Sequence, residues 1–132
     1  MKLVIPKSTI DFFRVKALNS VVEECGLLVG RIKDDKYYVK ALFIAKNLDN
    51  SPISFKMDPY TILSAYSYAD KYGLDVIGTI HSHPASPRPS PIDLRNMAIW
   101  NIPWVIMDSR SGEYRVWIYR DKVIEVEYII LE

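Results

Sequence analysis

The spacing of apolar and polar positions divides the chain into alternating elements. Residues 2–5 form a short apolar run that predicts a strand. Over residues 9–19, Ile10, Phe13 and Ala17 recur at helical spacing, and Val15 and Leu18 broaden the stripe. Ser8 stands where an N-cap belongs, with Asp11 in the first turn. Residues 23–32 are apolar and β-rich, Asp34-Asp35-Lys36 marks a turn, and residues 37–46 complete a hairpin. Residues 47–56 are polar, contain Asn50-Ser51-Pro52, and read as a loop. Asp58-Pro59 opens a second helix, in which Ile62, Leu63, Tyr66 and Ala69 follow at helical spacing and Gly73 provides the stop. Residues 75–81 are another apolar strand, followed by a loop stiffened by Pro84, Pro87, Pro89 and Pro91. A short helix over residues 92–99 and strands over 104–107, 114–119 and 123–131 complete the chain. Helices placed between groups of hairpins predict an α/β (α+β) fold with two main helices and a short third, built as one domain over residues 1–132.

Composition narrows the function more than the fold. The 132 residues carry a formal net charge of +1, with 49% apolar and 25% charged side chains. Neither figure favours nucleic acid or a membrane surface as partner. Cys25 is the one cysteine, so no intrachain disulfide forms. No window approaches the ~20 apolar residues of a membrane span, and no signal-peptide pattern opens the chain. These features lead to the expectation of a cytoplasmic protein.

The chemistry is concentrated in one stretch. Both histidines of the chain lie in His81-Ser82-His83, at the end of a predicted strand. Residues i and i+2 of a strand share a face, so both imidazoles can address one ion. Asp93 returns across the proline loop as a third ligand. Two histidines and a carboxylate leave the fourth position of zinc open, as catalytic rather than structural sites do. Taken alone, each part has a plainer reading. The histidine pair can be two surface residues, Asp93 a helix cap, Ser90-Pro91 turn chemistry, and Cys25 a buried small hydrophobe.

Together these residues resemble the JAMM (MPN+) metalloprotease motif. That motif joins an upstream glutamate to His-Ser/Thr-His-Pro, a spacer, and Ser-x-x-Asp. Here it reads His81-Ser82-His83-Pro84, then Ser90-Pro91-Ile92-Asp93, with six residues between His83 and Ser90 where seven are usual in the family. Upstream, Glu23-Glu24-Cys25-Gly26-Leu27-Leu28-Val29-Gly30 resembles the family's Glu-x-x-Gly-x-x-x-Gly strand, and this register selects Glu23 rather than Glu24. The resemblance covers nearly the whole chain and implies a cytidine-deaminase-like fold, a curved mixed β-sheet flanked by helices. It further implies that His81, His83 and Asp93 bind Zn2+, that Glu23 is the general acid/base, and that Ser90 stabilises the developing oxyanion.

The implied activity is that of a zinc-dependent isopeptidase. It would use a zinc-activated water to hydrolyse the bond between the C-terminus of a ubiquitin-like modifier and a substrate lysine, a deubiquitinase-like desampylation. The chain is short and leaves little room for the insertions of eukaryotic relatives, so the resemblance is to small prokaryotic, archaeal-type members. The implied partners are a ubiquitin-like modifier protein and its conjugates, with the enzyme either monomer or homodimer. One alternative is a peptidase that processes the C-terminus of a ubiquitin-like sulfur-carrier protein. Another is an inactive MPN-type interaction scaffold, although such scaffolds typically lose ligands and this chain keeps them all.

Overall fold

The computed structural model describes residues 1–132, in the order β1 (Lys2–Pro6), α1 (Lys7–Leu18), β2 (Cys25–Lys33), β3 (Lys36–Ala45), α2 (Pro59–Tyr72), β4 (Asp75–His83), α3 (Pro91–Ile99), β5 (Trp104–Asp108), β6 (Tyr114–Arg120) and β7 (Lys122–Leu131). The sheet is mixed and closes on itself in the order β1-β3-β2-β4-β5-β6-β7. Closure comes from β1, which runs parallel to β3 on one side and to β7 on the other, with Lys2 opposite Glu127 and Pro6 opposite Leu131. The anticipated curved sheet with three helices is therefore present, with its curvature carried through to a barrel. Each strand then has two neighbours, but β1 reaches only residues 36–38 of β3, so residues 39–45 pair with β2 alone and keep one open edge.

Three packing layers follow from the strand pleat. The barrel interior holds Leu3, Ile5, Leu28, Val39, Ile77, Ile80, Val105, Met107 and Val116, and α1 adds Ile10, Phe13 and Ala17 to the same cluster. On the outer face of the β2–β3 hairpin, Cys25, Leu27, Val29 and Ala45 meet Ala65 and Ala69 of α2. Two alanines let the helix lie close to the sheet. The expected stripe of Ile62, Leu63 and Tyr66 is rotated as a result, leaving Leu63 and Tyr66 exposed. On β5, Trp104 and Ile106 cover Met97 of α3.

Helix starts show where local signals hold. Asp58 caps α2, accepting from the Tyr60 N–H, and Gly73 ends it in the left-handed conformation at φ 66°. α1 differs from expectation. β1 runs straight into it, Pro6 occupies the N-cap position without a side-chain cap, and Ser8 lies inside the helix. Asp11 instead pairs with Lys7 at 2.6 Å and Arg14 at 2.8 Å. Val15 and Leu18 face solvent.

Gly30 sits at a break in register between β2 and β3. A Cβ there would lie 1.8 Å from the Tyr38 carbonyl oxygen and 2.8 Å from Ile77 Cδ1. The clash is with backbone, which cannot swing aside, so Gly30→Ala is expected to destabilise the fold by about 3 kcal/mol. Urea denaturation at constant m-value measures this.

Candidate metal centre and active site

Register aligns the site before any side chain is considered. β2 and β4 are antiparallel with Cys25 opposite His81. The alignment continues past the strand: the Ser82 N–H donates to the Glu24 carbonyl, and the Glu24 N–H donates to Ser82 Oγ, both at 3.0 Å. One residue further, Glu23 is level with His83, and directly opposed residues share a face. Ser82 thus has a role that its sequence position did not announce. It points away from the two imidazoles and fastens the glutamate segment to the histidine strand.

Asp93 arrives from α3. Ser90 is the N-cap, and a reciprocal capping box forms. The Asp93 N–H donates to Ser90 Oγ at 3.1 Å, and the Ser90 N–H donates to Asp93 Oδ2 at 2.9 Å. The spacer of six residues thus brings Ser90 and Asp93 to the first turn of a helix whose N-terminus faces β4. The loop between is pinned by Trp117, whose indole N–H donates to the Pro87 carbonyl at 2.8 Å. Asp93 Oδ2 also lies 3.2 Å from His81 Nε2 and 3.7 Å from His83 Nε2.

All three residues are buried, and their ligand atoms lie within 4.8 Å of one another. Bonds of about 2.0–2.2 Å to a tetrahedral ion place neighbouring donors about 3.3 Å apart. The observed 3.2 and 3.7 Å separations match that edge. His81 Nδ1, His83 Nδ1 and Glu23 Oε1 are buried without a hydrogen-bond partner. The donor set and its spacing fit a metal ion held by His81, His83 and Asp93. His81 is further fixed by stacking on Phe55 at 4.7 Å and by an edge contact with Trp104 at 5.6 Å.

The two carboxyls are driven in opposite directions. Burial pushes Glu23 up to about 8, and the charges of Asp93 and Asp49 add to it. Burial also raises Asp93, but the hydrogen bond and charge of His81 and the hydrogen bonds from Ser90 outweigh it, holding Asp93 below the ordinary carboxylate range. A pair split in this way is an acid/base arrangement, with one group ionised and the other poised to carry a proton near neutral pH. Burial likewise pushes the Cys25 thiol up to about 12, so it is inert packing, as its apolar strand implied. Glu24, the neighbour that the motif register passes over, is half-buried and accepts from Ser20 Oγ at 3.0 Å.

Glu23, His83 and Ser90 open onto a cleft of about 300 Å³, walled by Pro52 and Ile53 on one side and by residues 84–89 on the other. The loop before α2 and the proline loop after β4 thus both line the cleft. The Ser90 hydroxyl accepts from the Asp93 N–H and lines the cleft. A larger apolar groove, about 620 Å³, reaches the site through Phe55 and Trp104 and continues to Ile62, Tyr66, Ile99 and Trp100.

Known proteins match this arrangement at the level of the family. Residues 6–119 match the prokaryotic homologs of the JAB domain, and the chain belongs to that family. It is 37% identical over 131 residues to a desampylase of Pyrococcus furiosus, covering 97% of this chain and 90% of that one. It is 31% identical over 107 residues to a probable TtuB-protein conjugate cleaving protease of Thermus thermophilus, covering 79% and 68% of the two chains. The solution structure of a protein from Desulfitobacterium hafniense superposes with a TM-score of 0.85 at 32% identity, covering 98% of this chain and 93% of that one.

Proposed function

We propose that residues 1–132 act as one zinc-dependent isopeptidase domain that releases a ubiquitin-like modifier from a substrate lysine. The observation that carries the reading is the buried, unpartnered Glu23 carboxyl, raised to about 8, level with a His81–His83–Asp93 ligand set. The relatives named desampylase and conjugate cleaving protease support the substrate class. His81, His83 and Asp93 would hold a zinc ion, which would supply a Lewis acid that lowers the pKa of water toward about 7 and polarises a carbonyl.

The chain's own residues perform the rest. The modifier's C-terminal tail lies in the cleft between residues 52–53 and 84–89. Glu23 takes a proton from the attacking water and returns it to the lysine amine as the carbon–nitrogen bond breaks. The Ser90 hydroxyl donates to the oxygen that gains charge at the scissile carbonyl. Asp93 stays ionised throughout. No helix of the chain is long and apolar enough to cross a membrane.

The test is hydrolysis of a purified ubiquitin-like–lysine conjugate, before and after chelation and after zinc is restored. Free modifier is expected to appear only with metal present, and undiminished cleavage by the chelated protein overturns the mechanism.

A further inference from the structure

Glu23 stands just outside β2, where the ladder ends at Cys25. Strand pairing therefore does not satisfy its main-chain groups, and both go to the loop between β3 and α2. The Glu23 N–H donates to the Ser51 carbonyl at 2.8 Å, and the Glu23 carbonyl accepts from Asn47 Nδ2 at 3.0 Å. Asn47 is buried inside that loop. Its Nδ2 also donates to the carbonyls of Ser54 at 3.0 Å and Ser51 at 3.4 Å. Its Oδ1 accepts from the N–H groups of Asp49 and Lys56, both at 3.0 Å. Three carbonyls face the nitrogen and two N–H groups face the oxygen, so the amide has a single satisfied orientation. Its own backbone closes the loop in a bridge to Met57.

We propose that Asn47 is a positioning residue for Glu23: its buried amide ties the loop spanning residues 48–56 to the Glu23 backbone and thereby aims the Glu23 carboxyl into the cleft. The same loop presents Pro52 and Ile53 to the cleft and Phe55 to His81, so one side chain sets both the proton carrier and a wall of the site. Asparagine is required rather than aspartate, because a carboxylate would turn acceptors toward three carbonyls. The assignment rests on Glu23 being the acid/base of the proposed hydrolase.

The test compares Asn47→Ala with the parent chain in three ways. Amide hydrogen exchange on the metal-free protein is expected to be at least about tenfold faster at Glu23 and Lys56, with His81 and Ile106 unchanged. Zinc stoichiometry should stay at the parent level, since His81, His83 and Asp93 lie on β4 and α3. The kcat for conjugate hydrolysis should fall about 10–100-fold, as expected when a reacting group is misplaced by about an ångström. In a Glu23→Gln background the same substitution should cost less than about twofold, because the group being aimed is already gone.

Equal losses in both backgrounds, or unchanged exchange at Glu23, overturn the proposal. Asn47→Asp keeps the side-chain volume and carries the same measurements should the alanine variant fail to fold. Exchange and zinc binding need no turnover. Loosening at Glu23 in a chain that cleaves no conjugate therefore supports the positioning role and rejects the hydrolase.

Discussion

Glu23→Gln is expected to lower conjugate turnover by about 10²–10⁴-fold, the usual worth of a positioned acid/base, while raising the melting temperature of the metal-free protein at pH 8. The two effects have one cause. Glu23 is buried, its Oε1 has no partner, and the charge of Asp93 acts on it. Its folded pKa of about 8 stands above the ordinary 4.5. Between those values the unfolded chain has released a proton that the folded chain keeps, so stability falls as pH rises from 4.5 to about 8 and then levels off. Glutamine has nearly the same shape and no charge to bury. It removes that cost, roughly 2–4 kcal/mol at pH 8 once water entry through the cleft is allowed for.

Below pH 4.5 both forms are neutral in both states, and the two proteins should melt together. Thermal denaturation of the two metal-free proteins across pH 4–9 measures the difference. A variant that loses activity without gaining stability at pH 8 would show that the carboxyl is solvated, and the acid/base assignment would lose its electrostatic support.

The parts of this site legible in the sequence were those set by short-range chemistry. Asp58-Pro59 and Gly73 bracket α2 because capping is a matter of a few adjacent residues. His81, His83, Ser90 and Asp93 stand close in sequence, and the structure brings them together at one strand end and one helix start. Glu23 was legible only through its register with Gly26 and Gly30, because nothing about a glutamate before an apolar run distinguishes it by itself.

What escaped depends on partners far along the chain. Barrel closure rests on β1 pairing with β7, residue 2 against residue 127, and no local pattern encodes that. Ser8 reads as a cap because a cap is inferred from neighbours, whereas the start of α1 is dictated by the end of β1. Asn47 reads as one more polar loop residue until its five contacts are seen. Ser82 reads as a spacer between ligands until the Glu24 backbone is found on its other side.

His83→Ala and His81→Ala are expected to lower zinc affinity alike and stability unequally. Each removes one of the three proposed protein ligands, so the loss should exceed the 10–100-fold typical of removing a group that only orients a ligand. Isothermal titration of the metal-free protein with zinc measures it, and hydrolysis should be abolished in both variants. The folding cost differs because the rings have different surroundings. His83 is the last residue of β4 and opens onto the cleft, with its Nε2 3.1 Å from the Arg88 carbonyl. Water can enter the space its ring leaves and replace that contact, for a cost of about 1 kcal/mol. His81 is fully buried between Phe55 and Trp104. Its loss leaves a hole that two aromatic rings cannot refill, for about 2–4 kcal/mol. In metal-free protein, His83→Ala should therefore melt within a few degrees of the parent while His81→Ala melts well below it. A large and equal fall in both would mean that the histidine pair supports the fold as a unit, and that the metal belongs to the structure rather than to an open catalytic cleft.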